Sequence, residues 1–130
     1  MRPVLRLWLP VLAWAALIFA LSAIPLLSSG LGTWDLVLRK AAHVTEFAIL
    51  GALLVRAIGS FAPSLLIGVL YAASDEWHQS FVRGREGTPV DVAIDTVGVL
   101  VGILVWRALR READGRRGGT PREPSPTHAR

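Results

Sequence analysis

The sequence predicts an all-α fold, a four-helix transmembrane bundle with both termini cytoplasmic. Composition is the first reason. Of 130 residues, 52% are hydrophobic and only 18% charged, with a mean hydropathy of +0.47. A soluble globule carries about 25% charged residues. The second reason is a set of four apolar stretches, each near the ~20 helical residues that span ~30 Å of hydrocarbon. The third is the placement of charge. The formal net charge is +4, but seven of the 14 basic residues lie at or after Arg107. Such a one-ended distribution describes a membrane protein with a basic flank rather than a nucleic-acid surface, and no nucleic-acid partner is expected. The chain has no cysteine, which excludes a disulfide scaffold, a cysteine-ligated zinc ribbon and a thiol enzyme.

The first helix is expected over about residues 7–27, a stretch without a single charge that holds Pro10 and Pro25. A soluble bundle would give such a helix a polar face. A cleaved signal peptide ending near Ala20-Leu21-Ser22 is the rival reading, but the apolar run continues past that site, so retention is expected. Ser28-Ser29-Gly30-Leu31-Gly32 reads as a connector, with Asp35 capping a second helix over about residues 36–59. Ser60 to Pro63 reads as a turn, with Pro63 opening a third helix over about residues 63–82. Arg83-Gly84-Arg85-Glu86-Gly87 is a polar loop. Thr88-Pro89-Val90-Asp91 then has the order of an N-cap and capping-box acid for a fourth helix over about residues 89–109. Residues 1–110 thus form one transmembrane domain. Residues 111–130, rich in Gly, Pro, Arg and Thr, are expected to be a disordered cytoplasmic tail.

Basic residues orient the bundle. With the N-terminus inside, Arg2, Arg6, Arg56 and the seven C-terminal arginines fall on the inner side, and Arg39, Lys40, Arg83 and Arg85 on the outer. Ten against four predicts a multi-pass protein of the cytoplasmic membrane with both termini inside. Arg56 then anchors at the inner surface.

Depth along each helix picks out the candidate site. Counted from Pro63, Asp75 lies ~18 Å and Gln79 ~24 Å along the third helix. Counted back from Arg107, Asp95 lies ~18 Å and Asp91 ~24 Å along the fourth. On the second, counted from Gly59, Glu46 comes at ~20 Å and His43 at ~24 Å. These side chains share one slab that opens toward the outside. His43 and Glu46 share a stripe with Arg39, while Asp91 and Asp95 continue into Gly98 and Gly102, a Gly-x-x-x-Gly face that admits a close neighbour. A charge facing lipid costs ~2.5–3.5 kcal/mol on insertion scales, so Glu46, Asp75, Glu76 and Asp95 must face each other, water or a ligand. Asp75 and Asp95, at equal depth, are expected to share His43, Arg85 or a bound metal as partner. Plainer roles compete. Asp91 serves as a cap, His43 could bond a neighbouring acid, and the acids could form an internal salt-bridge network with Arg39, Lys40 and Arg85.

Two stretches resemble the VanZ-like membrane protein family. Arg39-Lys40-Ala41-Ala42-His43-Val44-Thr45-Glu46-Phe47, followed by Leu50-Gly51, is similar to the family's second-helix motif. Ser74-Asp75-Glu76-Trp77-His78-Gln79-Ser80-Phe81, then Gly84-Arg85, Asp91, Asp95-Thr96 and Gly98, is similar to its longer signature. Phe47 stands where Tyr is usual, and Arg83 where the family often has Pro. The resemblance spans about residues 10–106 and implies a bacterial envelope membrane protein, in a family named for a teicoplanin-resistance protein. It implies no reaction. Its motif positions are Lys40, His43, Glu46, Asp75, Glu76, Gln79, Arg85, Asp91 and Asp95.

Three functions fit these residues. The first is an outward-facing site for an anionic lipid-linked phosphate or pyrophosphate. Arg39, Lys40, Gln79, Arg83, Arg85 and Asp91 would be its binding candidates. His43, Glu46, Asp75, Glu76 and Asp95, with His78, would be acid–base candidates or would hold a divalent cation such as Mg²⁺ through oxygen. The second is a non-catalytic accessory subunit or homodimer, and the third a proton- or cation-coupled carrier. No Ser-His-Asp set, phosphate-cradling glycine loop or HExxH motif is evident, so no reaction is assigned and no cofactor is required.

Overall fold

Four helices follow in chain order: α1 (Pro3–Ser22), α2 (Thr33–Ile58), α3 (Phe61–Gln79) and α4 (Pro89–Gly118). The computed structural model describes residues 3–25, 30 and 32–118, and no strand occurs among them. Successive helices alternate in direction. Ser22 at the end of α1 meets Gln79 at the end of α3, and Lys40 in α2 meets Asp91 at the start of α4. The beginning of α1, the α2–α3 turn and the last turns of α4 therefore share the opposite end, where Leu7, Arg56 and Arg107 line one cavity.

α1, α2 and α4 are each long and apolar enough to cross a membrane. α3 falls short by that measure, because its 19 residues finish on Asp75, Glu76, His78 and Gln79. α1 lies on the outside of the bundle. Val11, Ile18 and Ser22 are buried, while Leu5, Leu9, Leu12 and Phe19 are half or more exposed. An unbroken apolar face of this kind suits hydrocarbon rather than water.

The boundaries shift from the sequence expectation for local reasons. α1 stops at Ser22, short of residue 27, because Pro25 disfavours helical backbone in the residue before it. The connector Ser28-Ser29-Gly30-Leu31-Gly32 lies mostly outside the described residues. α2 begins at Thr33, so Asp35 is not its cap. It sits in the first turn, where a carboxylate still complements the helix dipole. Gly59 ends α2 in the left-handed region at φ 77°, its N–H donating to Val55 O at 2.9 Å. α3 opens at Phe61, two residues before Pro63. Proline is tolerated there because N–H groups of a first turn have no intrahelical partner. The cap of α4 matches its sequence signature: Asp91 N–H donates to Thr88 Oγ1 at 3.2 Å, and Thr88 Oγ1 donates to Asp91 Oδ2 at 2.6 Å. α4 then runs to Gly118, well past residue 109. Arg110, Arg111, Glu112 and Ala113 are good helix formers, so the helix takes in the first part of the expected tail. Residues 119–130 lie outside the described part.

α2 and α4 form the closest pair, and glycine is the reason. A Cβ at Gly51 would strike the Val99 carbonyl, one at Gly98 the Val44 carbonyl at 2.6 Å, and one at Gly102 the Ala48 carbonyl. Lipid offers no hydrophobic drive for helix pairing, so this close approach and its dispersion contacts hold the pair together. The Gly98–Gly102 face is thus occupied by α2 within the chain and is not open to a second copy. Below the polar end, Phe47, Leu50 and Leu54 of α2 pack with Ala72 of α3 and Val99 and Ile103 of α4 as the buried core.

Candidate functional site

The glycine contacts fix how near the polar residues of α2 and α4 come. One to two turns from Gly98, the α2–α4 contact brings His43 Nδ1 to 3.5 Å from Asp95 Oδ1. α3 adds Glu76. One donor atom each from His43, Glu76 and Asp95 lies within 4.8 Å of the others, so three helices converge on one point. Glu76 is 5% exposed and Asp95 1%. Even so, His43 Nδ1, Glu76 Oε2 and Asp95 Oδ2 are buried without a hydrogen-bond partner among the described residues. Buried polar atoms are normally satisfied, and these three orphans lie close together, whereas the other two, Asp75 Oδ1 and His78 Nδ1, belong to a separate cavity.

These residues form the floor of a cavity of about 480 Å³ at the α3–α4 loop end of the bundle. Arg39, Lys40, Gln79, Arg85 and Asp91 line its walls and mouth. Lys40 forms an ion pair with Asp91, which Thr88 also holds. Arg39 Nε donates to Asp35 O at 3.1 Å. Arg85 bridges to α1: its Nε donates to Ile24 O and its Nη2 to Leu21 O, both at 3.1 Å, and its Nη1 donates to Gln79 Oε1 at 3.0 Å. Burial holds the Arg85 pKa below the usual arginine value, with the charge of Asp75 opposing that shift. Arginine remains a cation throughout the physiological range.

Asp75 belongs to a different cluster. Its Oδ2 accepts from Ser22 Oγ at 2.8 Å and from Gln79 Nε2 at 2.7 Å. Among the described residues, then, neither His43 nor Arg85 bonds directly to both Asp75 and Asp95, as two of the expected shared partners would. Equal depth put them on one level, but Asp75 turns toward α1 and Asp95 toward α2. Arg85 reaches Asp75 only through Gln79. Ser22 went unrecognised in the sequence, although it is the first hydroxyl after an apolar run that starts at Leu7 and so carried a signal.

The remaining candidates stand apart from the cavity. Glu46 is half-buried but does not line it, though its backbone carbonyl accepts from Trp14 Nε1 at 2.9 Å. Arg83 is exposed in the loop and also does not line it. His78 stacks on Phe19 with ring centroids 4.1 Å apart and lines a separate, apolar cavity with Tyr71 and Asp75. Of twelve candidates, eight line the main cavity, and among the described residues His43, Glu76 and Asp95 form the set whose donors are close enough to hold a metal ion.

Fold and site define a helical membrane protein whose polar centre is assembled from three helices at one end of the bundle. A sequence model of the VanZ/LLP1 family matches residues 6–110, so the chain belongs to that family. Compared with curated proteins and with solved structures, it has no significant match.

Proposed function

We propose that the cavity is an outward-facing site for the phosphate-bearing headgroup of an anionic amphiphile, a lipid-linked phosphate or pyrophosphate, at the bacterial cell envelope. In this reading α3 also crosses the bilayer, which makes a four-pass protein of the cytoplasmic membrane with both termini inside. The supporting observation is the joint lining of one cavity by Arg39, Lys40 and Arg85 at the level of the α3–α4 loop. An arginine offers five N–H donors, and three of those on Arg85 are committed to Leu21, Ile24 and Gln79. Arg39 commits its Nε to Asp35 O, leaving its Nη groups to bind phosphate in the bidentate way that suits guanidinium. A lipid tail would leave the cavity between helices whose outer faces are apolar. The link to glycopeptide resistance belongs to this proposal, since a lipid-linked cell-wall precursor is an anionic amphiphile of this kind.

A carrier is the less supported alternative. A path from this cavity to the opposite end must pass Phe47, Leu50, Val99 and Ile103, all buried and apolar. An accessory role is supported for one part of the polar layer, the Ser22–Asp75–Gln79–Arg85 chain that ties α1 to α3.

The test is binding to protein in lipid nanodiscs, comparing a polyprenyl phosphate with the polyprenyl alcohol of equal length. The phosphate should bind more than ~10-fold tighter, in keeping with charge-assisted hydrogen bonds to a partly buried guanidinium. Arg39→Ala should remove most of that preference. Equal binding of alcohol and phosphate would refute the reading.

A further inference from the structure

We infer that His43, Glu76 and Asp95 bind a divalent first-row transition ion of the Zn²⁺ or Mn²⁺ kind at the floor of the cavity. This goes beyond the phosphate reading and stands on different residues.

The donor geometry is the first argument. With bonds near 2.1 Å, donors around one ion stand about 3–4.2 Å apart. The His43 Nδ1–Asp95 Oδ1 separation of 3.5 Å already falls in that range. All three donors lie within 4.8 Å of one another, close to that range before any ion is bound. Each residue comes from a different helix, so the set is held by tertiary packing rather than by a flexible loop. Each also presents a buried atom with no hydrogen-bond partner among the described residues, the condition of a ligand awaiting its ion rather than of a completed polar network.

Charge is the second argument. Of the three cations lining the cavity, Arg39 donates to Asp35 O and the other two are already matched. Lys40 pairs with Asp91, and Arg85 is tied through Gln79 to Asp75 and to the carbonyls of Leu21 and Ile24. That leaves Glu76 and Asp95 as two carboxylates beside a single imidazole. A divalent ion with neutral His43 brings this group to net zero, and an intramembrane site strongly favours neutrality. Donor chemistry then selects the ion. A hard Mg²⁺ or Ca²⁺ prefers oxygen alone, whereas an imidazole with two carboxylates suits Zn²⁺, Mn²⁺ or Fe²⁺. Three protein donors leave coordination positions for water or a ligand from the cavity that all three residues line.

The competing state is metal-free: protonated His43 beside ionised Asp95, with Glu76 protonated. It is also neutral overall, so only measurement of metal separates the two. The experiment uses the full chain with a purification tag free of histidine, stripped by chelator, reconstituted in nanodiscs and titrated with Zn²⁺ and with Mn²⁺. We expect saturable uptake of one ion per chain, unaffected by excess Mg²⁺. His43→Gln, Glu76→Gln and Asp95→Asn should each weaken it by more than ~10-fold, the lower range seen for disturbing even the outer shell of a metal site. His78→Gln should leave it unchanged. If a variant does not accumulate, bound Mn²⁺ in the native chain still decides, because pulsed electron paramagnetic resonance should detect coupling to imidazole nitrogen. Uptake below stoichiometry in the native chain, uptake indifferent to all three substitutions, or bound Mn²⁺ without nitrogen coupling overturns the assignment. Loss of phosphate binding with metal uptake intact would count against the phosphate reading alone. Metal uptake absent with phosphate binding intact would count against this one alone.

Discussion

Asp75 and Asp95 are buried to the same degree, yet their carboxylates are employed differently. Asp75 gathers Ser22 and Gln79 and, through Gln79, the Arg85 clasp on α1. Asp95 makes a loose approach to His43, and each carboxylate leaves one oxygen, Asp75 Oδ1 and Asp95 Oδ2, without a hydrogen-bond partner among the described residues. Hydrogen bonds to a charged group contribute about 1.5–3 kcal/mol each, so Asp75→Asn should lower stability by about that amount. Asp95→Asn should leave the protein inserted and abundant while removing the site's function. Thermal melting in detergent together with abundance in the membrane fraction measures both. A parallel loss in the two variants would make Asp95 scaffolding and sink the functional reading of the floor. The sequence made half of this legible. Helical rise gives depth, and depth put His43, Glu46, Asp75, Gln79, Asp91 and Asp95 in one slab, of which Glu46 and Asp75 do not line the cavity. It does not give azimuth, which decides that Asp75 meets α1 while its neighbour Glu76, ~100° around the helix, meets α2 and α4. Ser22 stands out in the sequence as the first hydroxyl of the apolar run, but its partner Asp75 follows only from the docking of α1 against α3.

At the scale of helices, what a period or a cap can encode was readable, and what depends on a neighbour's backbone was not. The Thr88–Asp91 cap and the glycine face of α4 are local patterns with a fixed physical meaning. The face said that some helix comes close; only the fold shows that α2 is that helix and that its own Gly51 answers from the other side. Gly102 and Gly115 offer a matched test on one helix. A Cβ at Gly102 would overlap the Ala48 carbonyl, whereas at Gly115 it would meet nothing within 4 Å. Overpacking costs about 1–3 kcal/mol, so Gly102→Ala should destabilise the bundle despite the better helix propensity of alanine. Gly115→Ala should be neutral or gain up to about 1 kcal/mol from that propensity. Equal melting temperatures for the two variants would mean that α2 and α4 do not pack as described. Since the same contact sets the His43–Asp95 distance, Gly102→Ala should also weaken metal uptake without touching a donor.

For the molecule as a whole, the bundle's two ends differ in charge, and its orientation decides what the cavity can meet. Alternating helices put Arg39, Lys40, Arg83 and Arg85 at the cavity end and, among the described residues, Arg6, Arg56, Arg107, Arg110, Arg111, Arg116 and Arg117 at or beyond the other. Short flanking segments rich in Lys and Arg stay on the cytoplasmic side, so the cavity should open outward. The chain lacks cysteine, which makes single-thiol labelling clean. Gly87 is a poor position for the outer thiol, because a side chain there would run into the Glu76 carbonyl beside the site. Arg83, exposed and outside the cavity lining, is better, with Gly115 for the opposite end. In intact cells an impermeant thiol reagent should label Arg83→Cys and not Gly115→Cys, and both should react once the membrane is opened. The reverse pattern would turn the cavity to the cytoplasm. An envelope-facing lipid-phosphate site would then be ruled out, while the His43–Glu76–Asp95 centre, which depends on packing alone, would be unaffected.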